Sequence, residues 1–283
     1  MALSSKKYDL LVIGGGINGA AIANCASAAG ASVALVEKND WASGTSSKST
    51  KLLHGGIRYL ENGEFRLVRE AVQERNRMIQ NAPHLVKPLP TTIPIFKTFS
   101  GLLNAPLKFV GWLDRPSERG ALVIKIGLML YDAYSGPQRV VPPHRFIGRA
   151  ESLAQWGKLN PAVVNTATYY DGAILQPERL GLELVLDAEA DNPLARALNY
   201  VSLLKGDRAT VRLKDELTGS TFEVRPKILV NATGPWIDAA DSSLGQATHF
   251  IGGTKGSHLI LDHPELRAAI GDHEFFGSTP WWE

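Results

Sequence analysis

The chain has 283 residues, with 30 lysines and arginines against 28 aspartates and glutamates, for a formal net charge of +2. That near balance, with no long basic run, gives no argument for a nucleic-acid partner. The single cysteine excludes an internal disulfide, and the length bounds one large or two modest domains.

Residues 8–13 (YDLLVI) read as a buried parallel strand that runs directly into Gly14-Gly15-Gly16-Ile17-Asn18-Gly19. The Ala-rich stretch 20–29 reads as a helix containing Cys25, expected to be packing rather than chemistry. Residues 31–36 form a second strand ending at Glu37. This is a βαβ unit with G-x-G-x-x-G at its first turn, and each part has a physical reason. Gly14 permits the tight turn, Gly16 admits a pyrophosphate to the backbone, and Gly19 lets helix and strand pack closely. The helix N-terminus offers free N–H groups and a partial positive charge to the phosphates. Glu37 stands where a carboxylate accepts bonds from a ribose diol, which disfavours NADP; FAD and NAD both remain open here. Lys6-Lys7 before an apolar stretch does not make a signal peptide, because Asp9 and the three glycines interrupt it.

Residues 43–61 carry six serines and threonines, three basic side chains (Lys48, Lys51 and Arg58) and a Gly-Gly pair. Following a nucleotide-binding unit, such a loop is suited to lie along a ribityl chain and flavin ring. Residues 64–80 show helical periodicity, with Phe65, Val68, Val72 and Ile79 on one face. Four prolines make 82–96 extended. Two apolar stretches follow, 99–113 and 121–131; neither reaches the roughly 18 uninterrupted apolar residues of a spanning helix. They are read either as core packing or as an interfacial membrane contact. Pro137, Pro142 and Pro143 end the second. Residues 178–190 are helical behind Pro177; 199–204, 210–213 and 221–224 are short strands, with a hairpin turn at 217–220. Residues 227–236 (KILVNATGPW) form a buried strand and a small-residue turn that returns to the cofactor crevice. The Asn231-Ala232-Thr233 triplet is not taken as a glycosylation site. The seven histidines are scattered, with no metal-binding spacing.

These residues resemble the FAD-dependent, quinone-linked glycerol-3-phosphate dehydrogenases. The resemblance rests on Ile13–Gly19, Thr45-Ser46-Ser47, Lys51-Leu52-Leu53-His54-Gly55-Gly56-Ile57-Arg58-Tyr59-Leu60-Glu61, Phe65-Arg66-Leu67-Val68 and Ala82-Pro83-His84-Leu85. It continues through Ile126-Gly127-Leu128 with Tyr131-Asp132, Val230–Trp236 and Lys255-Gly256-Ser257-His258. The HGGIRYLE block is far more specific than the glycine fingerprint. The chain departs from the family at Ala21, Asn24 and Ala29-Gly30, and lacks a later arginine-bearing segment and a Gly-Gly-Lys segment. It is therefore expected to be truncated, ending in Thr279-Pro280-Trp281-Trp282-Glu283 within a substrate domain.

The expected fold is α/β: a doubly wound, Rossmann-like FAD-binding domain (1–62 with 170–240) and an α+β substrate domain on an antiparallel sheet (63–169 with 241–283, incomplete). The resemblance implies FAD as cofactor and hydride transfer from C2 of sn-glycerol 3-phosphate to flavin N5, giving dihydroxyacetone phosphate, with electrons passed to quinone. Expected cofactor-binding residues are Gly14, Gly16, Asn18, Gly19, Glu37, Lys38, Thr45, Ser46, Ser47, Lys51, Leu52, His54, Gly55, Gly56, Val201, Ala232, Thr233 and Gly234. Arg58 suits the substrate phosphate, Tyr59 can donate its hydroxyl, and His54 and His258 are the candidate bases. Lys255 is a further source of phosphate-neutralising charge. Partners are expected to be the small-molecule substrate, a quinone, and a second copy of the chain at full length. The expected location is cytoplasmic, with peripheral contact at the cytoplasmic membrane face. The rival readings are another flavin-dependent amine or amino-acid oxidoreductase, and a non-catalytic truncated remnant.

Overall fold

The computed structural model describes residues 7–98, 120–136, 139–207, 209–254 and 256–277. Lys255 and residues 99–113 and 279–283, on which sequence expectations fall, lie outside the described residues. The chain divides into two compact units, Met1–Lys51 with Gln176–His258, and Leu52–Leu175 with Leu259–Glu283.

The first unit is built on a six-stranded sheet. Strands β1 (Lys7–Ile13) and β2 (Val33–Val36) run parallel, joined by the helix Ile17–Ala28. β1 is buried on both faces, which is why its sequence reads as a continuous apolar run. Leu11 and Ile13 join one core cluster, while Leu10 and Val12 join another with Ala20, Ala23, Val33, Leu35 and Val185. Small alanines let the helix Ile17–Ala28 pack closely on the sheet and beside the helix Pro177–Asp191. Cys25 is exposed rather than packed: the helix buries Gly19, Ala20, Ala23 and Ser27, and residue 25 falls off that stripe.

The other strands of this sheet are β7 (Arg196–Leu198), β8 (Val201–Gly206), β9 (Val211–Asp215) and β10 (Thr221–Asn231). Residues 221–224 and 227–230 are one strand of 11 residues, not two. It changes partner along its length, antiparallel to β9 over 221–224 and parallel to β1 from Arg225 onward. Pro226 sits at the changeover, where a missing N–H interrupts neither ladder's interior.

The second unit has a sheet of β3 (Leu52–Leu53), β4 (Val86–Ile95), β5 (Arg145–Gly148), β6 (Asn165–Ile174) and β11 (Glu274–Phe275). β3, β4 and β5 all pair antiparallel with β6, and β11 adds parallel to β4. Residues 52–62 and 170–175 belong to this unit because β3 and β6 pair with each other. β4 tolerates its prolines for a reason of parity. The carbonyl of Thr92 accepts from Phe276 N–H at 2.9 Å, so even-numbered residues turn their backbone groups away from β6. Pro88, Pro90 and Pro94 share that parity and cost no bond in the central ladder.

Helices Phe65–Asn81 and Ala121–Ser135 pack over the β4–β6 face. The first buries Val68, Val72, Arg75, Asn76 and Ile79; Phe65, expected on the buried face, is exposed at the helix start. The second buries Ala121, Ile124, Leu128, Tyr131 and Ser135 and exposes Leu122, Ile126, Met129 and Leu130. Among the described residues no helix is long and apolar enough to cross a membrane.

Candidate functional site

In the first unit the glycine turn is set by backbone contacts. Gly14 has φ +108, and a Cβ there would stand 2.6 Å from the carbonyl oxygen of Ala232. A Cβ on Gly19 would stand 1.8 Å from the carbonyl oxygen of Gly14. Both positions therefore require glycine, one for conformation and one for the close approach of helix to turn. Ala232 N–H bonds to the Ile13 carbonyl at 2.8 Å, bringing the 232–234 turn beside the glycine turn at the carboxyl ends of β1 and β10.

Gly16 is the N-cap of the helix, whose first internal bond is Ala20 N–H to Gly16 O at 2.9 Å. The preceding N–H groups, on Gly16, Ile17, Asn18 and Gly19, are not used by the helix itself. Ser46 Oγ accepts from Ile17 N–H at 2.9 Å, so the 3₁₀ turn Thr45–Ser47 is folded onto this terminus. Asn18 is exposed at the second helical position. The result is a cluster of N–H and hydroxyl donors with the helix dipole behind it, suited to a pyrophosphate.

Glu37 closes the other side of the turn. Its Oε2 accepts from Gly15 N–H at 2.7 Å and its Oε1 from Asn39 N–H at 2.8 Å. A carboxylate has about four acceptor sites, so both oxygens retain capacity for a ribose diol. The backbone carbonyl of Glu37 accepts from Val201 N–H at 2.8 Å, which places buried Val201 beside the end of β2. Lys38 and Lys51 are exposed, and Lys51 adopts a left-handed φ of +60. Thr233 Oγ1 donates to Asn231 Oδ1 at 2.7 Å, and Gly234 has φ +58. The Asn231 amide is itself engaged by Ile237 O and Asp241. The glycine cradle, the donor cluster and the acid fit the ADP half of FAD.

In the second unit, β3 leads into His54 and Gly55. His54 Nδ1 lies 3.1 Å from Asp171 Oδ2, and Gly55 N–H donates to Asp171 Oδ1 at 2.9 Å. Asp171 is 1% exposed. Its Oδ1 also accepts from the Tyr131 hydroxyl at 2.6 Å, and Arg75 Nη1 stands 3.8 Å away. Arg75 is likewise 2% exposed. It donates to the Tyr131 hydroxyl at 2.8 Å and to the Tyr170 carbonyl at 2.5 Å, and to Asn76 Oδ1. A buried pair of charges is tolerated only when its remaining hydrogen-bonding capacity is met, and here it is. The Asp171 hydrogen bond raises the His54 pKa against an opposing effect of burial. Burial, reinforced by the Asp171 charge, pushes the Tyr131 phenol well above its ordinary value, so it remains a donor. Asp171, Arg75 and Tyr131 were not singled out for chemistry from sequence. The signal was there: Arg75 occupies a buried position in the stripe Val68–Val72–Arg75–Ile79.

Leu52 is half-buried in β3, and Gly56 is left-handed at φ +73. Arg58 is exposed, with its guanidinium carbon 5.9 Å from the centre of the Phe276 ring. Tyr59 is 49% exposed and lies close to Gly56. His258 sits in an exposed stretch without helix or strand. Glu274 has a raised pKa, chiefly from burial, while accepting from Thr91 Oγ1 at 3.0 Å.

A parallel βαβ sheet with this turn, this acid and this helix terminus defines a dinucleotide-binding α/β protein. The family model described as FAD dependent oxidoreductase matches residues 9–279, and the chain belongs to that family. It is 38% identical over 281 residues to a glycerol-3-phosphate dehydrogenase of Synechocystis, covering 92% of this chain and 46% of that protein. It is 37% identical to glycerol-3-phosphate dehydrogenase 2 of Mycobacterium tuberculosis, covering 93% of this chain and 43% of the relative. The solved structure of the Bacillus halodurans glycerol-3-phosphate dehydrogenase, complexed with FAD, matches with a TM-score of 0.56 and 29% identity, covering 86% of this chain and 37% of that one. The chain thus spans somewhat under half the length of the curated relatives it matches.

Proposed function

We propose that this chain serves in the FAD-linked oxidation of sn-glycerol 3-phosphate to dihydroxyacetone phosphate, with a quinone as the final electron acceptor. The observation that carries the reading is 38% identity to a glycerol-3-phosphate dehydrogenase across 92% of the chain. Bound FAD would supply a hydride acceptor at its N5. The residues that would hold its ADP half are the glycine turn, Ser46 and Glu37. Oxidation of a secondary alcohol also requires that the hydroxyl proton be taken, and His54 is the proposed base. The Asp171 hydrogen bond raises its pKa, which strengthens the imidazole as a base, and its half-exposed ring is open to a ligand. Arg58, exposed and forked, is the proposed phosphate ligand. Peripheral membrane contact belongs to the same reading, supported by the exposed Leu122, Ile126 and Met129 of the helix Ala121–Ser135.

The experiment is anaerobic addition of glycerol 3-phosphate to the FAD-reconstituted protein while flavin absorbance is followed. Bleaching by glycerol 3-phosphate, and not by glycine or proline, is expected; the reverse pattern would favour the amine-oxidising reading. Sedimentation with anionic lipid vesicles tests the membrane contact separately.

A further inference from the structure

We propose that Asp171 is the positioning residue of His54, fixing the imidazole as the Nδ1–H tautomer so that Nε2 is its bare, basic nitrogen. This rests on the assignment of His54 as the proton acceptor. The geometry carries the rest. Asp171 approaches His54 Nδ1 with Oδ2 and holds the next residue of the chain, Gly55, through Oδ1. One buried carboxylate therefore fixes both the ring and the backbone that bears it. A carboxylate can only accept, so the nitrogen facing it must carry the proton.

Asp171 is itself held by side chains from two helices. Tyr131, from the helix Ala121–Ser135, donates to Oδ1 at 2.6 Å. Arg75, from the helix Phe65–Asn81, is fixed by the Tyr131 hydroxyl, the Tyr170 carbonyl and Asn76, and stands 3.8 Å from the same oxygen. Tyr169, two residues earlier on β6, packs edge-on against Tyr131 with ring centres 5.5 Å apart. Among the described residues the other charged group acting on His54 is Glu274 of β11, whose negative charge acts in the same direction as Asp171. A carboxylate anchored in this way through Oδ1 is held with its Oδ2 towards His54 Nδ1. The cluster converts the packing of two helices on a sheet into the orientation of one half-exposed imidazole.

The test is nitrogen-15 NMR of the His54 ring in the full chain, with its signals assigned among the seven histidines by comparison with His54→Gln. Neutral His54 is expected as the Nδ1–H tautomer, the minor form of an unconstrained histidine side chain. In Asp171→Asn the ring should lose that bias and its pKa should fall. A predominant Nε2–H form in the wild type, or a tautomer and titration unchanged by Asp171→Asn, would overturn the proposal. If Asp171→Asn does not fold, the wild-type tautomer alone decides. In the FAD-loaded enzyme, Asp171→Asn should lower kcat roughly hundredfold, the lower end of what a positioned base contributes, with KM little changed. If the tautomer is Nδ1–H but His54→Gln leaves flavin reduction intact, the base assignment fails while the positioning by Asp171 stands.

Discussion

A Cβ on Gly55 would lie 1.8 Å from the hydroxyl oxygen of Tyr131 and 2.4 Å from its Cζ. No left-handed backbone is involved at this position, so glycine is required by space alone. The Tyr131 hydroxyl cannot retreat, because it bridges Arg75 and Asp171 at 2.8 and 2.6 Å. Gly55→Ala should therefore disturb the buried cluster as well as the loop, destabilising the protein by about 2–3 kcal/mol, the upper range for overpacking. Urea unfolding of the variant measures this. A loss under about 0.5 kcal/mol would mean that the loop moves aside freely.

The pairing of His54 with Asp171 makes part of the stability depend on pH. The folded-state pKa of His54 is raised above its ordinary 6.5. The contribution of the pair is therefore fully present below 6.5 and is lost as pH rises through the raised folded value. Relative to His54→Gln, the wild type should be favoured on the acid side of that window, above the carboxylate range, and should lose the advantage on the alkaline side. Solvent screens the half-exposed ring, so the difference will be small. Denaturant midpoints measured on either side of the window check the sign. An advantage that grows with pH would reverse it.

The nucleotide-binding half was legible in sequence because its determinants are local. The strand, glycine turn, helix and Glu37 all lie within residues 7–37, and the close approach of Gly19 to the Gly14 carbonyl falls inside that stretch. The His54 cluster was not legible in the same way, because Asp171 reaches His54 across 117 residues through the β3–β6 pairing. Nothing in residues 43–61 announces a carboxylate contributed by a distant strand. The long strand β6 was hidden for a related reason. Its Thr166, Thr168 and Asp171 are buried polar residues, satisfied by partners such as Ser152, Thr92 and His54, and they mask the apolar pattern of a central strand. Arg75 is the one cue that pattern reading could have used. An arginine on an apolar helical stripe requires a buried anion or a set of carbonyls to receive it.

Glu37 has two duties, and a pair of substitutions separates them. Its carboxylate closes the glycine turn through Gly15 N–H and its own strand end through Asn39 N–H. Glu37→Ala should weaken FAD binding by about 1.5–3 kcal/mol, the range for lost hydrogen bonds to a charged group. It should also lower the stability of the apoprotein. Glu37→Gln keeps one carbonyl acceptor, so it should preserve more of the stability than of the affinity. Fluorescence titration with FAD and thermal unfolding of the apoprotein give the two readouts. Unchanged FAD affinity in Glu37→Ala would reject the ribose assignment.

Arg58 decides whether the HGGIRYLE block recognises phosphate or only shapes the loop. Its guanidinium is exposed and rests 5.9 Å from the centre of the Phe276 ring, so it has a structural role to lose as well as a proposed ligand. Loss of packing would affect every substrate equally, whereas loss of a phosphate contact would affect only those that carry one. Arg58→Ala should cut kcat/KM for glycerol 3-phosphate by about 2–4 kcal/mol of transition-state binding, the cost of removing one member of a close charge pair. The corresponding loss for glycerol, which lacks the phosphate, should be much smaller. Arg58→Lys should recover part of the activity, since an ammonium restores the charge without the two-pronged fork. Equal losses for glycerol and glycerol 3-phosphate would assign Arg58 to the stack on Phe276 and remove it from the substrate site.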